Sequence, residues 1–245
     1  MEWVVLPAVA LFAQPVADSR SALPCVTLRW DEGLGIDATL GATFPVVEVR
    51  DDQRALQLGV EAAGFMGFDP GDGLTFELET FDGTFSFPLS GRWGRWSARL
   101  EWAHTSAHYA DGVRNDGEAP YRAEDSYSRE WIRLLGGGTF GPARVYLGAR
   151  VVTHDVREDK PLAVQVGGEA FAPWKISPYA AFDLQFSEDS QFAPAIGAQA
   201  GVAYRVDGRR FRLGAIARYG PEDTGKRAGL DEAYAGVTFG FDVFE

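Results

Sequence analysis

The chain has 245 residues, including 29 Gly, 17 Phe, 7 Trp and a single Cys, and its formal net charge is −12 at pH 7. One cysteine excludes a disulfide scaffold and a cysteine-built zinc site. Because no uncharged apolar run reaches about 18 residues, a helical membrane protein is excluded as well. The acidic charge argues against a nucleic-acid partner, since phosphate binding relies on clustered Lys and Arg.

The amino-terminal residues are compatible with a weak export signal. Residues 3–13 (WVVLPAVALFA) form a short apolar run that small and polar residues follow, as in the hydrophobic region and cleavage zone of a secretory leader. Glu2 stands where such leaders carry Lys or Arg. We therefore predict a weak signal peptide over residues 1–18 and one domain over residues 19–245. The alternatives are that the apolar run forms a buried strand or that the start codon is misassigned.

From residue 34 onward, apolar residues alternate with polar or small residues. This period of two places each set on one face of a β-strand. In the first such segment, Leu34, Ile36 and Leu40 share one face, while Asp37 and Thr39 share the other. The segments run over about 10 to 14 residues, which exceeds the usual soluble strand of about 5 to 6 and suits a tilted crossing of a bilayer.

The polar face of these segments distinguishes a soluble β-sandwich from a membrane barrel. A soluble barrel buries its apolar face, whereas a membrane barrel turns that face to lipid and keeps a polar lumen. Charged residues of both signs lie on the polar face in mid-segment: Glu61, Glu77, Glu79, Arg99, Glu101, Arg144, Arg150, Glu169, Asp183, Arg212 and Arg218. We therefore predict an all-β fold, a transmembrane antiparallel up-and-down β-barrel whose lumen is filled by ion pairs.

Connection lengths support the same prediction, because outer-membrane barrels have short periplasmic turns and longer external loops. Tight junctions near 92–95, 139–142, 173–178 and 206–209 alternate with longer, acidic ones near 109–126, 154–161, 187–192 and 220–232. This alternation predicts twelve strands, with ten as the fallback, and location in the bacterial outer membrane. The parity of the apolar residues changes at Phe81–Thr84, which predicts a bulge in one long strand or an extra hairpin.

Chemically distinctive residues concentrate in the segment 95–108 (RWSARLEWAHTSAH). His104, Ser106 and His108 continue its apolar face at the end that precedes the longest loop. Polar groups facing lipid are costly, so their placement there suggests a function. An imidazole two residues from a serine can reach its hydroxyl, which is the nucleophile and base pairing of acyl transfer. A shared metal is less credible, since His104 and His108 are about 13 Å apart along a strand.

The third partner of such a site is expected on the adjoining strand. In residues 128–136 (SREWIRLLG), Glu130 shares the apolar parity, while Arg129 and Arg133 point inward. Glu130 would therefore lie on the lipid face near the external end. A carboxylate there can orient an imidazole and stabilise its charged form.

The stretch from about 74 to 136 resembles a family of uncharacterised bacterial outer-membrane barrels. Their recurring core is a strand ending His-x-Ser-small-His, an acidic turn, and a strand containing Ser-x-Glu. The matching residues here are His104, Ser106, His108, Asp111, Ser128 and Glu130. Ala107, Ala110 and Gly112 depart from that pattern. The resemblance implies an outer-membrane barrel and no established activity.

The His-x-Ser pair also resembles that of outer-membrane phospholipases A and lipid A deacylases. These barrel hydrolases carry the pair on the external half of a lipid-facing strand. The phospholipases add a Ser-Arg-x-Trp motif, to which Ser128–Trp131 is comparable, but Ile132 stands where their His-orienting Asn follows. The resemblance implies that Glu130 would take that role, or Glu118, which has the spacing from Ser106 of the deacylase acid.

Three functional hypotheses follow for this barrel. The first is a lipid acyl-ester hydrolase of the phospholipase A or lipid A deacylase type, with Ser106 as nucleophile, His104 as base, Glu130 orienting His104, and His108 as a substitute base or headgroup contact. The second is a structural barrel in which the polar residues join an interfacial belt with Trp96, Trp102 and Trp131. The third is a small-solute or ion transporter.

A barrel in the outer membrane has a defined set of expected partners and cofactors. The partners would be membrane lipid or lipopolysaccharide and the barrel-assembly machinery, and the sequence does not indicate an oligomeric state. No organic cofactor is indicated. Acidic loops can bind divalent cations that bridge lipopolysaccharide, or calcium for the hydrolase, but solvated loop charge is the simpler and preferred explanation.

Overall fold

The computed structural model describes residues 2–6, 9–31, 33–71, 75–110, 127–157, 162–222, 224–225 and 227–243. In this part of the chain the regular structure is a single antiparallel β-sheet. None of the described residues belongs to a helix long and apolar enough to span a membrane.

The described chain contains thirteen strands in sequence order. They are β1 (Glu2–Val5), β2 (Cys25–Trp30), β3 (Leu34–Arg50), β4 (Arg54–Pro70), β5 (Phe76–Trp93), β6 (Trp96–Tyr109), β7 (Tyr127–Phe140), β8 (Ala143–Asp155), β9 (Leu162–Phe171), β10 (Ile176–Ser187), β11 (Pro194–Val206), β12 (Arg209–Pro221) and β13 (Asp231–Val243). Each strand from β2 to β13 pairs with its neighbours in sequence, and β13 pairs back to β2. Twelve of the described strands therefore close a barrel, as predicted.

Strand β1 lies outside this ring. It pairs with the last residues of β3, from Glu2 opposite Arg50 to Val5 opposite Val47. The alternative to an export leader was a buried strand over the apolar run 3–13, but β1 covers only the start of that run and is largely exposed. Residues 9–24, which connect β1 to β2, enter the barrel, and most of their side chains are buried there.

Connections alternate in length around the barrel. The turns 94–95, 141–142 and 207–208 contain two residues each, whereas the connections at the other end run through 110–126, 156–161, 188–193 and 222–230. Asp207 and Gly208 both have positive φ angles, of 48° and 69°, which is the geometry that a two-residue hairpin with right-handed twist requires. By the rule for outer-membrane barrels, the end with long connections is extracellular.

The barrel has its apolar residues on the outside. Leu213 is 59% exposed and Phe239 is 52% exposed, and Phe182 likewise points away from the lumen. This exposure is costly in water and favourable in lipid, because burying apolar surface in hydrocarbon removes it from water. The predicted orientation of the two faces is confirmed.

Charged side chains fill the lumen in pairs. Arg99 lies 2.8 Å from Glu61 and 2.5 Å from Glu101, and the second oxygen of Glu101 lies 2.6 Å from Arg133. All eleven charged residues predicted to face inward are buried or half-buried. Their opposite signs neutralise one another, which a buried charge requires.

The parity change in β5 comes from a bulge, but at a different residue from the one predicted. Strand β5 runs unbroken from Phe76 to Trp93, so no extra hairpin exists among its residues. Gly67 pairs with Thr80 and Phe68 pairs with Leu78, which leaves Glu79 as the extra residue. The bulge therefore precedes Phe81–Thr84, because the side chains from Thr80 onward already follow the later alternation.

We expect Glu101→Gln to lower the free energy of unfolding by about 3 kcal/mol, because Arg99 and Arg133 would keep buried charge without its main partner. Urea unfolding of the detergent-solubilised barrel measures this change. Asp52→Asn, in an exposed turn, is the control and should unfold as the wild type does. Equal stability of the two variants would contradict the role assigned to the ion pairs.

Candidate functional site

The predicted site residues come together on the outer face of β6 and β7. In the register of these strands, His104 lies opposite Glu130 and Ser106 lies opposite Ser128. All four side chains are partly exposed, whereas their chain neighbours Thr105 and Arg129 are buried toward the lumen. This alternation follows directly from the period of two, and it places the group near the extracellular ends of both strands.

His104 and Glu130 form the closest contact of the site. The Nδ1 atom of His104 lies 3.8 Å from Oε1 of Glu130, and their side chains are 39% and 36% exposed. The distance suits an ion pair when the imidazole is protonated, and a small rotation would bring the two atoms into hydrogen-bond range. The contact leaves Nε2 of His104 available to another group.

Ser106 has a glycine as its neighbour on the other side. It lies opposite Gly83 of β5, and a Cβ atom at Gly83 would come within 4.0 Å of Ser106 Oγ. The ring of Phe81 lies 3.8 Å from the same Cβ position, so the hydroxyl faces a glycine bordered by an aromatic ring. Among the described residues, no hydrogen bond joins Ser106 to His104, so the structure brings together the histidine and the carboxylate but not the serine and the histidine.

His108 is the most exposed member of the predicted group. It lies opposite Phe81, next to the last residue of β6. It shares the outward parity of Ser106, but it lies farther toward the extracellular end than the pair formed by His104 and Glu130. His108 therefore lies outside the pair formed by His104 and Glu130.

A residue that the sequence pattern did not indicate, His154 of β8, lies opposite Glu130. By the alternation of Val145, Leu147 and Val151, an even-numbered residue of β8 should point inward. The register instead shifts between Glu130 and Trp131, so that Trp131 pairs with Val152 and Thr153 is the extra residue. His154 is therefore exposed, and Glu130 lies between two histidines. Only knowledge of this bulge would have revealed it.

The interfacial belt proposed from sequence needs correction. Trp131 is buried toward the lumen, where its Nε1 donates a hydrogen bond of 3.4 Å to Thr105. Trp96 begins β6 at the periplasmic end, far from His104. Only Trp102 is exposed on the same face near the site. Trp131 faces inward because it has the parity of Arg129 and Arg133.

Metal ligands are sparse around this site. Among the described residues, no three His, Cys, Asp or Glu side chains are grouped so that they could hold a metal ion. Calcium takes six to eight oxygen ligands in proteins, and the described residues here do not supply such a set. Asp111 and Glu118, which the sequence analysis considered, lie outside the described residues.

The closed twelve-strand barrel, with lipid-exposed apolar residues and a charged lumen, defines an integral outer-membrane β-barrel. Within this class, the chain belongs to a family of proteins of unknown function, DUF1207, whose similarity spans residues 2–223. This membership agrees with the resemblance to an uncharacterised barrel family. Among curated proteins, none matches the sequence.

Solved structures with a similar fold include outer-membrane phospholipases. The dimer of the Salmonella typhi enzyme with bound calcium has a TM-score of 0.58 and 14% identity, over 90% of each chain. The Escherichia coli outer membrane phospholipase A has a TM-score of 0.58 and 13% identity, again over 90% of each chain. At this identity the likeness concerns the fold alone.

We expect a cysteine at Ser106 to react from the lipid phase and a cysteine at Thr105 not to react. The change is made in a Cys25→Ser background, because Cys25 is the native thiol. An apolar maleimide in lipid vesicles should label Ser106→Cys, whose side chain points outward, and leave Thr105→Cys unlabelled. Labelling of both positions, or of Thr105→Cys alone, would contradict the outward placement of the site.

Proposed function

We propose that this barrel is an acyl-ester hydrolase of outer-leaflet lipid, of the phospholipase A or lipid A deacylase type. The single observation that carries the proposal is the pair formed by His104 and Glu130 beside Ser106 on a lipid-facing surface. A hydroxyl, an imidazole and a carboxylate in this order are the parts of a serine-hydrolase triad. Polar groups are costly on such a surface, which favours a functional reason for all three.

Each group has a defined task in this proposal. Ser106 Oγ attacks the acyl carbonyl, while His104 takes its proton and returns it to the leaving alcohol. Since Nδ1 of His104 faces Glu130, Nε2 is the atom that would accept the serine proton. Water then hydrolyses the acyl-enzyme with the same base. Glu130 holds the ring orientation and stabilises the imidazolium.

The surroundings of the site suit acyl chains on its membrane side. Phe85 lies opposite His104, and its ring meets Phe87 edge-on at 4.8 Å. Phe87 in turn stacks on Trp102 at 6.0 Å. These rings would form an apolar surface just below the polar residues, where the chains of a lipid substrate would lie while its ester groups reach Ser106.

The remaining histidines have subordinate roles. His154 flanks Glu130 on the side away from His104 and would help to fix the carboxylate. His108 would contact the headgroup or replace His104 as base. Calcium accompanies the similar Salmonella protein, and no step of this mechanism depends on it. Insertion by the barrel-assembly machinery, and contact with lipopolysaccharide, belong to the same proposal.

The fold neighbours support the proposed class without defining the substrate. Two of the similar structures are outer-membrane phospholipases, so the fold is compatible with lipid hydrolysis. A purely structural barrel would release no fatty acid. A transporter would need a continuous path, and the paired charges of the lumen do not favour one.

Replacement of Ser106 by Ala should reduce the release of fatty acid by more than about 10³-fold, because the nucleophile is lost. The assay uses the refolded barrel with phospholipid and lipopolysaccharide substrates in mixed micelles, and a folded-state mobility shift confirms that the barrel remains intact. Ser97→Ala, on the luminal side of the same strand, should keep full activity. If Ser106→Ala releases acyl chains at the wild-type rate, the assignment is withdrawn.

Replacement of Glu130 by Gln should lower kcat by about 10- to 100-fold while KM stays nearly constant, because the orientation of His104 is lost but the lipid surface is not. Glu130→Asp should restore part of the rate. Michaelis–Menten analysis of both variants measures the split. A change confined to KM would indicate that Glu130 binds substrate and does not act through His104.

A further inference from the structure

The segment that joins β1 to β2, residues 9–24, runs through the lumen of the barrel. We call it the luminal segment. Phe12 is only 1% exposed, and Val16 and Asp18 are each 5% exposed. Side chains on such a segment are as deeply buried as those of a soluble protein core. The inner wall of the barrel, and the later residues of the segment itself, bury these side chains.

The first half of the luminal segment is fixed by the periplasmic and middle parts of the wall. The backbone N–H of Leu11 donates to Gln57 Oε1 at 3.0 Å, and that of Val16 donates to Glu169 Oε2 at 3.0 Å. The amide of Gln14 donates to Glu61 at 2.5 Å. These bonds satisfy backbone and side-chain donors that water cannot reach.

An aromatic anchor strengthens this half of the segment. The ring of Phe12 packs against Leu135 and Tyr146, which are both buried on the inner wall. The guanidinium of Arg144 lies 4.6 Å from the centre of the same ring, within the range of a cation–π interaction. The Phe12 ring thus fills the space between the inward-facing side chains of Leu135, Tyr146 and Arg144.

The second half of the luminal segment is held by charge. Asp18 accepts hydrogen bonds from Gln165 at 3.0 Å and from Gln185 at 3.1 Å, and it lies 3.4 Å from Arg133. These partners belong to three different strands. One buried carboxylate therefore ties distant parts of the wall to the centre of the lumen.

The tip of the luminal segment lies toward the extracellular end. Arg20 pairs with Asp82 at 2.8 Å and with Glu222 at 3.4 Å. The chain then reverses, with the N–H of Ser21 donating to the carbonyl of Asp18 at 3.2 Å, and returns toward Cys25. The segment is thus a closed loop that enters the lumen from the periplasmic side and is fixed at its far end.

Barrel size explains why such a loop is needed. About eight strands leave an interior that side chains just fill, whereas barrels of sixteen to eighteen strands enclose an aqueous channel. Twelve strands leave a lumen between these limits, so wall side chains need additional chain to complete their contacts. Without it, Glu61, Glu169 and Arg133 would lose buried partners at considerable cost.

We propose that residues 9–24 stay in the mature protein as a permanent plug that closes the lumen. This proposal replaces the export leader over residues 1–18, because cleavage there would remove Gln14, Val16 and Asp18 from their partners. The similarity to the family begins at residue 2 and so includes the segment. The plug is independent of the chemistry assigned to the outer face.

Peptide mapping of the protein extracted from the outer membrane is the first test. Residues 1–19 contain no Lys or Arg, so trypsin digestion of the denatured protein releases a peptide that ends at Arg20 and contains residues 9–18. We expect this peptide in the same yield as peptides from the strands. A mature chain that begins near residue 19 would lack it and would overturn the proposal, whatever the activity of Ser106.

Planar-bilayer recording is the second test. Wild-type barrel and the Asp52→Ala control, altered in an exposed turn, should show no discrete current steps. Deletion of residues 11–21 should produce steps, and the milder double variant Asp18→Ala/Arg20→Ala should produce brief ones, because it frees the tip without removing the chain. Steps from the wild type, or folded variants that both stay silent, would contradict the plug. The peptide map decides the question if neither variant folds.

Discussion

This barrel depends on one constraint: charged side chains in mid-strand cannot face lipid and must be paired with opposite charges in the lumen. Its strands turn their apolar residues outward, so every ionic side chain in mid-strand has to be neutralised inside. The cluster of Arg99, Glu101 and Arg133 does so between neighbouring strands, and Asp18 and Arg20 do so from the centre of the lumen. Wall and luminal segment therefore form one electrostatic unit, and neither is complete without the other.

Much of the fold could be predicted from the sequence, because a period of two is a local property that each strand displays independently. The inward position of the charges follows from this period. The strand number follows from the segments together with the alternation of short and long connections. Bulges do not, since an extra residue is invisible until the partner strand is known. The extra residue Glu79 changes the side-chain alternation of β5 before Phe81, which is earlier than predicted. The extra residue Thr153 places His154 on the outer face.

The candidate site could likewise be predicted only as far as the alternation of side chains along each strand determined it. The pairing of His104 with Glu130 was predictable because parity alone put both side chains on one face of adjoining strands. The inward direction of Trp131 was equally implied by the parity of Arg129, although its aromatic character suggested the interface. The luminal segment was not predictable from sequence. A short apolar run followed by small residues has the same composition whether it is an export signal or a segment that packs inside the barrel.

The height of the barrel wall differs on the two sides of Ser106. Tyr109, the last residue of β6, pairs with Thr80, so residues 76–79 of β5 continue beyond it by about 13 Å. On the other flank, β8 ends at Asp155, level with Arg129. In the described part of the chain, strands β4 and β5 therefore extend farther toward the extracellular side than the Ser106 hydroxyl does. A lipid with a bulky sugar headgroup would meet steric hindrance from the β5 side as its ester group approached Ser106.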